Sequence, residues 1–384
     1  MLRNPGFVAH RLVSPYACKV RWSRAVSFQR SALDALDDAS SALAVALDGA
    51  PAHLLLAFVD GAFRTHATTL ARELERRHGG ATTLVIPVPS LGLPLPGLEL
   101  PRFVVHAATA PKARFLPWRC DPKTNRLDLP MIPGPLGMLM FADASSLDVD
   151  RVAFAVAERC AAFAGFAMHD VPNAWPLAIG HELIEGGAVG VYCDDPTFAE
   201  GFAEPLGRAQ GPAMIVTAGV AGTVQSLDGR PALVVLEEWA KALDEADREK
   251  LALGLDVALD LRAHGVRSSE GDLATCRMVA LDRERGAFLV DAETRAFQAL
   301  RFAVRDDARA VGDVVTNAAR DPGDAPPILL WPLEASPMTH WPEVATAHKE
   351  RLAPWALRGV VPLVGAGHRS APVHRHALGL LRLR

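Results

Sequence analysis

The first ninety residues alternate two kinds of apolar pattern, and that alternation restricts the possible folds more than any other feature of the chain. Val20 to Ser27, His53 to Val59 and Thr82 to Val88 are short runs rich in aliphatic and β-branched residues, each about the length of a strand. Between the first two, Leu33, Leu36, Leu43 and Leu47 recur at helical spacing until Gly49. Between the second and third, Phe63, Leu70 and Leu74 do the same ahead of Gly79 and Gly80, with Glu and Arg on the outer side. Strand, helix, strand, helix, strand requires crossover connections, hence parallel strand pairs with helices laid on the sheet. The expected class is α/β: a two-part layered fold with mixed β-sheets flanked by helices.

The rest of the chain extends this pattern. Pro87 to Pro101 carries five prolines and reads as a rigid loop. Residues 102–109 and 138–142 read as strands, Val149 to Phe163 as a deeply buried helix, and Ala188 to Tyr192 as a strand. A second part opens near residue 205. There Pro231 begins a helix through Leu243, a charged helical stretch starts at Asp244, and Leu273 to Leu281 forms a hairpin with Ala287 to Val290. In the next strand Leu300, Phe302 and Val304 alternate with Arg301 and Arg305, which predicts one buried and one wet face. A connector at Asp321 to Pro327 leads to a strand, a helix around Val344 to Leu357 and two last strands. A chain of 384 residues exceeds the usual size of one core, so the expected division is a tail at 1–18, a first domain at 19–204 and a second at 205–384.

Bulk properties remove several function classes. Half the residues are hydrophobic and 22% are charged, which is ample for a packed interior. The formal charge of −4, with both signs mixed, offers no basic face for nucleic acid. No apolar stretch reaches the roughly 20 residues needed to cross a bilayer, so no membrane partner is expected. Five scattered cysteines, Cys18, Cys120, Cys160, Cys193 and Cys276, suggest neither a zinc knuckle nor a disulfide framework and fit a reducing compartment. The expected location is cytoplasmic. An organelle is the alternative, because Arg3, Arg11, Lys19, Arg21, Arg24 and Arg30 all precede the first acidic residue, Asp34.

Catalytic patterns are incomplete. His181 and Glu182 open the string HELIE, but a zincin needs a second histidine where Glu185 stands, so an exposed polar pair on a strand or turn is the better reading. His368, His374 and His376 gather beside Arg369 and Arg375 without a neighbouring carboxylate or cysteine, which reads as a solvated, partly basic terminal strand that could contact an anion more readily than a metal. Gly207 to Gly211 and Gly219 to Gly222 lack a GxGxxG or Walker pattern and read as tight turns, and no GxSxG elbow is present.

One family resemblance covers nearly the whole chain from Val20. LLLAFVDG at 54–61, TTLVIPVPSLG at 82–92, LMFADASSLDVD at 139–150 and EGGAVGVY at 185–192 resemble successive segments of the FIST domain, a sensory module of bacterial signalling proteins and some F-box proteins. VQSLDGRPALVVLEEW at 224–239 is similar to the family junction where a turn starts a helix, and FQALRFAVRDDARAVGDV at 297–314 to a strand and the helix after it. Two turns depart from the family pattern: LLWPLEASP at 329–337 lacks its cysteine and arginine, and GAGHRSAPV at 365–373 has His368 and Arg369 where an acid is expected. The resemblance implies a small-molecule sensor, and the incomplete catalytic patterns fit it, so no catalytic residue, metal or cofactor is expected. Its ligand would be an amino acid or other small anion, and its output would pass to a separate signalling protein. Candidate ligand-binding residues are Asp228, Arg230, His368 and Arg369, polar groups on turns at element ends. Two other readings stay open: an enzyme assembled in three dimensions around Cys193 or Cys276, and an interaction scaffold that binds no ligand.

Overall fold

A computed structural model describes residues 20–94, 97–124, 126–128, 136–157, 159–168, 174–260, 273–320, 327–332, 355–358, 360–366 and 377–384. It opens with β1 (Arg21–Ser27), α1 (Ala32–Leu47) and β2 (Leu54–Asp60), then a 3-10 turn leading into α2 (Ala67–Arg77), then β3 (Thr82–Val88). There follow β4 (Ser90–Leu91), β5 (Phe103–Thr109), β6 (Phe115–Asp121), β7 (Arg126–Asp128), β8 (Gly137–Asp143), α3 (Val149–Ala157), β9 (Ala162–Met168), β10 (Pro176–Ile179), β11 (Glu182–Glu185), β12 (Ala188–Cys193) and β13 (Ala199–Pro205).

The start of α1 is fixed by Ser31, whose side chain accepts from the backbone N–H of Asp34, and its end by Asp48 in a left-handed conformation. Ala32, Ala35, Leu36, Ala39, Leu43 and Leu47 form its buried stripe. Leu33, expected on that face, is 53% exposed. The small alanines let the helix approach the sheet along the Leu36–Leu43 line, which leaves Leu33 at the margin.

The first sheet runs β1-β5-β2-β3-β10-β11 and is antiparallel except for the β2–β3 pair. β2 is buried on both faces: Leu55, Ala57 and Val59 pack with α1 and α2, while Leu54, Leu56 and Phe58 enter a second core. That core is shared with Leu139 and Phe141 of β8, Ala164 and Phe166 of β9 and Val189 of β12. These belong to a second sheet, whose strands from β9 to β7 run β9-β8-β12-β6-β7 and whose other face carries α3. Two sheets are thus packed face to face, with helices outside.

The helix expected from Val149 to Phe163 ends at Ala157, and Ala162–Met168 is β9. A continuous apolar run suits a buried helix or a buried strand equally, and here parallel pairing with β8 decides for the strand.

The next segment comprises β14 (Gly207–Val220), β15 (Thr223–Leu227), β16 (Arg230–Pro231), α4 (Ala232–Ala242), α5 (Glu245–Lys250), β17 (Leu255–Asp260), β18 (Leu273–Asp282), β19 (Ala287–Val290) and β20 (Ala299–Arg305). Its strands pair in the order β14-β20-β17-β18-β19-β15, and β15 pairs back onto β14, so the sheet closes into an antiparallel barrel. Gly207 to Gly211, expected as a turn, lies within β14, with Gly211 beside a register shift. The Gly219–Gly222 turn is as expected, with Ala221 and Gly222 linking β14 to β15. The face of β20 expected to be wet is largely covered: Ala303 is fully buried, and Arg305 is 8% exposed and held bidentately by Asp307 at 2.6 and 2.8 Å.

The chain ends with α6 (Asp307–Arg320), β21 (Ile328–Trp331), β22 (Ala356–Arg358), β23 (Val360–Ala366) and β24 (Ala377–Leu383). Of the helix expected around Val344 to Leu357, Ala356 and Leu357 are strand, and 344–354 lie outside the described residues. A third sheet runs β13-β24-β21-β22-β4 beneath α6, and β23 joins β9 at the edge of the second sheet. Strands from before and after residue 205 therefore share two sheets. No helix among the described residues is long and apolar enough to cross a membrane.

Candidate functional site

β6 alternates across the second sheet. Trp118 and Cys120 enter the core beneath α3, so the intervening Arg119 points to the opposite face. Its cross-strand partner on β12 is Val189, a residue of the core between the two sheets. Arg119 thus occupies the same face as that core, at the edge where the two sheets part. An arginine is tolerable there because its head reaches water.

Across this open edge stands the hairpin of β10 and β11. Its turn, Gly180–His181, is closed by the pair Ile179 and Glu182, and His181 is exposed. Leu177 and Ile184 anchor the hairpin in the inter-sheet core, while Glu182 and Glu185 face solvent. Arg119 forms an ion pair with Glu182, their side chains being 42% and 46% exposed. HELIE is therefore a hairpin rather than a metal-binding helix, and its His181 and Glu182 form the exposed polar pair expected from sequence.

Two adjoining concavities meet at Arg119. One, of about 460 Å³, is lined by Arg119, Asp121, Lys123, Thr124 and the outer strand of the hairpin from Leu183 to Glu185. The other, of about 400 Å³, lies over Arg119, Thr82, Thr83, Glu75, His181 and Glu182. Asp121 is held by accepting a hydrogen bond from the Lys123 backbone N–H at 2.8 Å. One concavity thus carries Arg119 and Lys123 with Asp121 and Glu185, and the other carries Arg119 with Glu75 and Glu182.

The sequence-derived candidates lie elsewhere. Asp228 and Gly229, both at positive φ, form the two-residue turn between β15 and β16. One carboxylate oxygen of Asp228 accepts from the Ile215 N–H at 2.8 Å, and Arg230 pairs with Glu238 at 2.5 Å. Neither lines the two concavities around Arg119. His368 and Arg369 lie outside the described residues, as do His374 and His376. Cys193 and Cys276 are fully buried, in the inter-sheet core and the barrel core respectively. Burial pushes the Cys160 thiol up to about 12. Among the described residues no three His, Cys, Asp or Glu side chains are grouped so as to hold a metal ion.

Asp143, in the strand-Asp-helix segment, is fully buried and accepts from the Ser145 N–H, the Ser145 hydroxyl and the Trp175 N–H at 2.7–2.9 Å. Trp175 in turn donates its indole N–H to Pro87 O at 2.6 Å. This network ties the base of the hairpin to Pro87, which is a residue of β3 rather than of the loop expected from Pro87 to Pro101; Ser90 and Leu91 within that stretch are also strand. Arg119 itself was missed in sequence. The available signal was FLPWRCD, a strand whose Trp118 and Cys120 share one face while a charge occupies the other.

No protein-family model matches the chain, so none identifies a FIST domain in it, and no curated protein matches it.

Proposed function

We propose that this chain is a small-ligand-binding sensory protein of the FIST type, which takes an amino acid or another small organic anion into the cleft at Arg119. The observation that carries this reading is the pair of adjoining concavities, about 460 and 400 Å³, sharing one arginine among carboxylates. Their size is that of small-molecule sites, roughly 300–1,000 Å³. A guanidinium presents a planar fork of donors that matches a carboxylate, and the facing acids suit an ammonium group on the same molecule. The ligand's occupancy would be passed to a separate signalling protein.

Thermal unfolding in the presence of glycine, glutamate, 4-aminobutyrate and succinate tests this. At one hundred times its dissociation constant a ligand adds about 2.7 kcal/mol of stability, which raises the melting temperature by several degrees. We expect Arg119→Ala to abolish that rise. The double change His368→Ala with Arg369→Ala examines the sequence-derived candidates in the same assay. No stabilisation by any of the four compounds, or stabilisation that survives Arg119→Ala, overturns the assignment.

A further inference from the structure

We propose that Glu182 is a built-in competitor for the ligand's acid group: the ligand's carboxylate replaces Glu182 on Arg119, and the tip of the β10–β11 hairpin is thereby released from the second sheet. This rests on the cleft as the ligand site and adds how occupancy there changes the protein.

Arg119 and Glu182 belong to different sheets, so their ion pair is a clasp across the open edge of the sandwich. Both side chains are nearly half exposed. Pairs of this kind are screened by water and contribute little, so an incoming carboxylate can displace one at small cost. Arg119 borders both concavities, whereas Glu182 borders only the one over Thr82 and Thr83. A carboxylate entering from the other side, past Lys123, therefore approaches the guanidinium without first passing Glu182. Once freed, Glu182 stays in the concavity it shares with Arg119, where its carboxylate can receive an ammonium group, which favours a small zwitterion over a simple anion.

The hairpin is built unevenly. Its base is fixed by Leu177 and Ile184 in the core and by the Gly186 N–H donating to Trp175 O at 3.0 Å. Toward the tip, β10 meets β3 through just two register pairs, Ala178 with Val85 and Ile179 with Leu84, supplemented by the Gly180 N–H on Thr83 O at 2.8 Å. β11 is the outermost strand of its sheet. Releasing the clasp thus loosens the tip while the base stays anchored, which gives a local opening a partner protein can read.

The test uses the full chain and titrates succinate and 4-aminobutyrate by calorimetry, with hydrogen exchange followed at residues 177–185. Glu182→Gln removes the competitor, so succinate should bind about two- to fivefold more tightly than to the wild type. 4-Aminobutyrate should gain less, because the carboxylate that would meet its ammonium group is gone. In the wild type, ligand should speed exchange at the hairpin tip to the rate shown by unliganded Glu182→Gln, and ligand should add nothing further in that variant. Binding that is lost in Arg119→Ala but unchanged or weakened for succinate in Glu182→Gln overturns the competitor while leaving the cleft in place. No binding to the wild type or to either variant overturns the cleft itself, and this inference with it.

Discussion

His106 is the buried titratable residue with the sharpest consequence for stability. It sits on β5 opposite Arg24 and Leu56, with its ring edge-on to Phe58 at 5.9 Å and 5.8 Å from Trp355. It is 2% exposed, and among the described residues its Nε2 has no hydrogen-bond partner. Desolvation, with Arg24 adding to it, pushes its pKa down to about 3. The folded protein keeps the ring neutral while the unfolded chain protonates it below about 6.5. Between these two values the unfolded state binds the extra proton, so stability falls as pH falls, by about 1.4 kcal/mol per pH unit. We expect urea unfolding between pH 4 and 6.5 to show a shallower pH dependence for His106→Leu than for the wild type, by about that slope. Equal slopes would mean that the ring is hydrated or already charged in the folded state. The substitution should cost little at pH 7, since it removes an unsatisfied nitrogen from an apolar site.

At the level of elements, the most constrained contact is between β8 and β9. Gly165 on β9 has φ +154°, and a Cβ there would lie 1.8 Å from the carbonyl oxygen of Met140. That neighbour is backbone, so no side chain can swing aside. We expect Gly165→Ala to force the parallel pair apart and cost about 3 kcal/mol or more, seen as a lowered urea midpoint or as failure to accumulate as soluble protein. A midpoint within error of wild type would show that the strands tolerate separation. The same strand marks the limit of what the sequence disclosed. β1 to β3, α1, α2, the Asp228–Gly229 turn and the helix start at Asp244 were legible because spacing and turn residues act within a few positions. The first two residues of β9, Ala162 and Phe163, fall within the helix expected from Val149, because apolarity without a period does not distinguish helix from strand. The cleft was not legible at all, since Arg119 and Glu182 become neighbours only through the docking of two sheet edges, and pairing between distant strands leaves no local mark. Arg305 shows the same limit: alternation predicted a wet face, and Asp307 with the adjacent α6 covered it.

For the whole molecule, the arrangement of cores says which parts can stand alone. Among the described residues, the core of the barrel draws only on those between Met214 and Phe302, and none of the other four clusters contains a residue from 207 to 305. The two ends of this segment meet: Gly207 pairs with Arg305, and the Asp306 N–H donates to Leu206 O at 2.8 Å. A unit with its own core and adjacent ends is placed like an insertion in a larger body. The remainder has the opposite character. Its inter-sheet core combines Leu54, Phe58 and Phe141 with Ile328, Leu330, Leu357, Val360 and Leu381, and β24 lies between β13 and β21. Removing the last strands would open that core and separate β13 from β21. We therefore expect a fragment from Gly207 to Ala308, which keeps the Lys250–Asp306 and Arg305–Asp307 pairs, to unfold cooperatively on heating. A fragment ending at residue 204 should instead be insoluble or expanded, because the residues that close its core come from the far end of the chain. Circular dichroism and size-exclusion chromatography of the two fragments decide the matter. A cooperative transition in the 20–204 fragment would show that its core closes without the C-terminal strands, and the absence of one in the barrel would show that the barrel depends on the larger body.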